Sequence, residues 1–74
     1  MLKKLNEMEY GAEGIIKEIN ASQDDINSIG LRIGKSLKMV TKQPIKGPVV
    51  VITGELEIAI GLNLASEISV DIAE

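Results

Sequence analysis

The 74-residue sequence contains no cysteine and no histidine. Their absence excludes disulfide staples, zinc-finger ligand spacings, thiolate nucleophiles and the side chain that exchanges protons near neutral pH. Tryptophan and phenylalanine are missing too, and Tyr10 is the one aromatic residue. With few stacking surfaces and a net charge of −3, from 11 acidic against 8 basic residues, the chain lacks the footprint of a nucleic-acid binder. No run approaches the roughly 18 apolar residues of a membrane span. The basic pair Lys3-Lys4 is not followed by the apolar stretch of a secretory signal. A cytoplasmic protein with no direct membrane insertion is expected, one that serves a membrane process only by touching a partner.

What the chain does have is aliphatic. Hydrophobic residues make up 45% of it, so the core must be built from Ile, Val, Leu and Met. Domains of this size bury only about 60% of their unfolded surface, which leaves a limited core and marginal stability. A single domain over residues 1–74 is expected, as a small barrel, a bundle or an oligomer.

The stretch from Lys46 to Ile60 organises the rest. Val49-Val50-Val51-Ile52-Thr53 and Leu56-Glu57-Ile58-Ala59-Ile60 are two β-prone runs meeting at Gly54-Glu55. A Gly-X connection suits a type II′ turn, because glycine accepts positive φ at the first central position. This turn pairs Thr53 with Leu56, Val51 with Ile58 and Val49 with Ile60, and places those six on one face. Val50, Ile52, Glu57 and Ala59 share the other, which is more apolar than a solvated face requires.

Around this hairpin the elements are short. Leu2, Leu5 and Met8 recur every third residue, as in a turn of helix or an irregular lead-in laid on the domain. Glu13 to Ile19 reads as a strand, with Gly11 and Gly14 marking a turn or bulge at its start. Ser22 is an N-cap for a helix from Gln23 to Ile29 that Gly30 ends. Lys35 to Lys42 is a second strand with Leu37 and Met39 inward and Lys38 and Lys42 outward. Pro44 and Pro48 make the following segment a loop. Leu62 to Ser66 is a short turn, and Glu67 to Ile72 alternates as the last strand. Five short strands with one inserted helix predict a mainly β, partly open barrel.

The order Gly11-x-x-Gly14, Ile19, Ile26-x-x-Ile29-Gly30-Leu31-x-x-Gly34, Pro44, Gly47-Pro48, Ile58-Ala59-Ile60, Ala65-x-x-Ile68-x-Val70 resembles the FeoA-like family over roughly residues 5 to 72. The resemblance implies an SH3-like barrel. It also implies a non-enzymatic accessory or regulatory subunit of bacterial ferrous iron uptake, docking on the cytoplasmic part of the GTP-binding transporter FeoB. The same module ends metal-dependent repressors, so a transition-metal-responsive binding protein is one alternative and a homo-oligomeric interaction module with another partner is a second. Asp25, the placement of Gly54 and the pair Gly61-Leu62 depart from the family's usual residues, changing surface and turn chemistry only.

Site chemistry read from the residues is sparse. Glu7, Glu9, Glu13, Asp24 and Asp25 offer oxygen ligands and Met39 a thioether, but without imidazole or thiolate nothing favours a tight transition-metal site. A weak divalent-metal or intersubunit site is left open, and no cofactor is expected. Asp24 and Asp25 diverge by about a hundred degrees on a helix, and Ser22 has no base, so no catalytic group is assigned. Tyr10 alone cannot line a groove for proline rings. The remaining candidate is a partner contact: Val50, Ile52 and Ala59 as a flat apolar patch, with Lys35, Lys38, Lys42 and Lys46 as its basic rim, Lys42 and Lys46 foremost.

Overall fold

The computed structural model describes residues 1–20, 31–42 and 47–72. The helix expected over residues 23–29 and the rim residue Lys46 lie outside them. The chain runs through β1 (Leu2–Lys4), a 3₁₀ turn (Leu5–Glu7), β2 (Glu13–Ile19), β3 (Ser36–Lys42), β4 (Val49–Thr53), β5 (Leu56–Ile60), α1 (Leu62–Ala65) and β6 (Ile68–Ile72). The strands form one antiparallel sheet in the order β1-β6-β2-β3-β4-β5.

The sheet wraps a single aliphatic core. Ile16, Met39, Val49, Val51, Ile68 and Val70 are fully buried, and Leu5 and Met8 join them from the lead-in. Two register shifts bend the strands around this core. Between Ile16 and Glu18 the ladder to β6 skips Lys17, and between Met39 and Thr41 the ladder to β4 skips Val40. An unpaired extra residue kinks a strand and raises its local twist, which is how a short sheet curls. Gly11 contributes a turn before β2, as expected, while the bulges fall at Lys17 and Val40.

The hairpin has the expected register. Thr53 pairs with Leu56, Val51 with Ile58 and Val49 with Ile60. Gly54 has φ +64°, the left-handed value a primed two-residue turn demands. Of the inward face, Val49, Val51, Thr53 and Ile60 are buried, whereas Leu56, the partner of Thr53 at the turn, is 62% exposed.

Six strands stand among the described residues, where five were expected. Leu2–Lys4 is a strand and not a turn of helix, paired with Ser69, Val70 and Asp71 of β6. Its ladder takes Leu2 away from the core, leaving it 62% exposed, while the 3₁₀ turn that follows buries Leu5. The Lys4 amide donates to Glu7 Oε1 at 3.1 Å and closes that turn. The segment after Gly61 is a single α-helical turn that buries Ala65.

The Met1 ammonium donates to Asp71 Oδ1 at 2.9 Å, an exposed pair. This bond and the ammonium's charge hold the Asp71 carboxyl below its ordinary 3.8, with Lys17 adding a weaker pull. A lowered folded pKa gives stability that is present above the unfolded value and lost as pH falls through the folded one. The thermal midpoint should therefore fall less steeply in acid for Asp71→Asn than for the parent. The two curves should converge once pH has fallen through the lowered folded value of Asp71, with only a small gap above it, because the pair is solvated. Parallel curves down to acid pH would remove Asp71 from the acid response.

Candidate functional site

The outer surface of β2 to β5 carries the candidate site, and strand alternation decides which side chains reach it. Cross-strand partners make a continuous row: Glu13 faces Lys38, Lys38 faces Ile52, and Ile52 faces Glu57. Beside it Val50 pairs with Ala59 on one side and Thr41 on the other. The expected patch is thus assembled by the ladder. Val50 is half-buried, Ile52 is 38% exposed, and Ala59 is open. The basic rim is less complete. Lys35 and Lys38 are exposed, and Lys42 enters the description only as the backbone partner of Val49.

One apolar member was not anticipated from the sequence. Ile15 on β2 is 42% exposed, pairs with Ser36 and, with Ile52, lines a groove of about 420 Å³ bounded by Glu13 and Lys38. The run Glu13-Gly14-Ile15-Ile16 has two adjacent isoleucines, and the run alone does not say which faces out. The fold decides it: Gly14 is buried between β3 and β6, so by strand alternation Ile16 faces inward and Ile15 outward.

Among the described residues the arrangement offers apolar and charged contact chemistry. The groove combines two branched apolar side chains with one acid and one base on directly opposed positions of β2 and β3. Among the described residues no three of His, Cys, Asp and Glu converge where a metal could sit. Met39 lies wholly inside the core, so its thioether faces other side chains and not solvent. Glu7 is engaged by the Lys4 amide, and Asp24 and Asp25 lie outside the described residues.

Comparison with known proteins agrees in sequence and in fold. The FeoA domain model matches residues 3–72. A Methanocaldococcus jannaschii protein provisionally named Fe(2+) transport protein A is 40% identical over 67 residues, 86% of this chain and 79% of its own length. The crystal structure of an iron uptake regulatory protein, FeoA, superposes with a TM-score of 0.89 at 29% identity, over 99% of this chain and all of that one. The zinc complex of Stenotrophomonas maltophilia FeoA, described as a procaryotic SH3 domain protein, aligns with a TM-score of 0.73 at 21% identity, over 93% of this chain and 89% of that one. At that identity the likeness is one of fold, mainly β and SH3-like.

Proposed function

The chain belongs to the FeoA family, and on that premise we propose that it is a non-enzymatic accessory module of ferrous iron uptake. It docks on the cytoplasmic part of a FeoB-like transporter through the outer face of β2 to β5. The supporting observation is the row Glu13, Lys38, Ile52 and Glu57 with Ile15 and Val50 beside it, an apolar strip flanked by both charges on a sheet face. Ferrous iron is the transporter's cargo in this reading.

The test is the double substitution Val50→Lys with Ile52→Glu. Both side chains point away from the core, so circular dichroism and the melting curve should stay close to the parent. Affinity for the transporter's cytoplasmic part, measured by calorimetry, should fall by about tenfold or more, the effect of placing charges in an apolar contact. Ile15→Glu, at a separate position in the same groove, should act in the same direction. Unchanged affinity in both variants would remove this face from the interaction.

The metal-responsive alternative is separated by titrating the protein alone with Fe(II), Mn(II) and Zn(II) while following amide NMR shifts. No saturable micromolar site is expected, and a stoichiometric one would favour that alternative.

A further inference from the structure

The two ends of the sheet are built differently. β1 is three residues long, carries Lys3 and Lys4 and runs straight into the 3₁₀ turn. Shortness and lysines are the usual protections of an edge strand. β5 has neither. It runs unbroken for five residues against β4 with no register shift, and contains no proline and no lysine. Leu56 is 62% exposed on it and Ile58 only half-buried.

We propose that β5 receives a second copy of this chain, the two strands pairing antiparallel about a two-fold axis through Ile58. Three features of the strand select this arrangement. The first is the direction of the free backbone groups. A two-residue turn bonds Thr53 to Leu56, and antiparallel bonding alternates, so Leu56, Ile58 and Ile60 spend their backbone groups on β4. The N–H and C=O of Glu57 and Ala59 point outward. The second is register. With Ile58 on the axis, Glu57 of one copy meets Ala59 of the other, so the outward groups bond to each other and the whole of Leu56–Ile60 is paired. The third is side-chain match. That register avoids setting Glu57 against its own symmetry mate, and brings the exposed Leu56 and the half-buried Ile58 of each copy to the seam. It thereby covers the apolar edge that no other described strand pairs with.

An interface of one five-residue edge falls well short of the roughly 1,600 Å² of standard complexes, so the dimer is weak and concentration-dependent. The same arrangement is isologous and closes, so it stops at two copies.

Sedimentation equilibrium of the isolated protein, from low micromolar to near-millimolar concentration, should show monomer and dimer in exchange. Ala59 is exposed, so charging it leaves the fold intact while reading the register. Ala59→Lys should tighten the dimer and Ala59→Glu should weaken it, each by about three- to tenfold at low salt, because each change creates two charge pairs with Glu57. If both substitutions weaken association, Ala59 meets its own mate and the register is overturned. A monomer at every concentration, or indifference to both substitutions, overturns the proposal itself. These measurements use the chain alone, so their failure leaves the docking reading untouched.

Discussion

Gly14→Ala should lower the melting temperature by many degrees, and Gly14→Val should prevent folding. Gly14 pairs with Leu37 of β3 and Ile72 of β6, so it sits where three strands are drawn together. A Cβ placed there would lie 2.5 Å from the Asp71 carbonyl oxygen and 2.6 Å from Val70 Cγ1. The first of these atoms is backbone in a paired strand and cannot swing aside. Relief requires β2 and β6 to move apart, breaking the ladder that joins the beginning and the end of the described chain. Forcing extra carbon into a packed interior costs about 1–3 kcal/mol even when side chains can yield. For a domain of this size each kcal/mol shifts the midpoint by roughly 4–8 °C. Gly61→Ala is the control. A Cβ there meets nothing within 4 Å, so its melting curve should overlay the parent's. Equal melting of Gly14→Ala and the parent would mean that the two strands do not approach as closely as described.

The second large effect separates two leucines three residues apart. Leu5→Ala should destabilise the protein by about 2–5 kcal/mol, the usual cost of a leucine-sized cavity. Leu2→Ala should stay within about 0.5 kcal/mol of the parent, as exposed substitutions do. Leu5 is fully buried in the cluster that includes Met8, Ile16 and Ile68, whereas Leu2 is 62% exposed. Urea denaturation of both variants checks this, with the slope against denaturant unchanged. Similar losses for both would return the lead-in to the amphipathic turn of helix that its spacing suggests.

That contrast shows why parts of this fold can be read from residues and others cannot. The hairpin is legible because its cause is local: Gly54-Glu55 fixes the turn, the turn fixes the register, and the register buries Val49, Val51 and Ile60. Glu13–Ile19 is legible for the same reason, bounded by glycine and rich in β-branched residues. Leu2–Lys4 is not. Three residues carry no period, and only the approach of Ser69, Val70 and Asp71 makes them a strand. The site divides along the same line. Val50, Ile52 and Ala59 follow from hairpin parity, but Ile15 faces outward because of how Gly14 packs, a long-range fact. Gly14 itself reads as punctuation in the sequence and turns out to be a point of close packing.

The position of β6 has a consequence for biosynthesis. The last strand described in the chain is not at the rim of the sheet; it lies between β1 and β2, which leave the ribosome before the other described strands. Until residue 72 has been released from the exit tunnel, Leu2–Lys4 and much of Glu13–Ile19 have no neighbour on that side, while β3, β4 and β5 can already pair as a local meander. Contacts between distant parts of a chain form only after the entropy of a long loop has been overcome. Nascent chains therefore acquire the meander first and remain open at the other end. An early stop codon just before Ile68 would strand Ile16 and Leu5 in water and leave a product for proteases, and not a smaller folded domain.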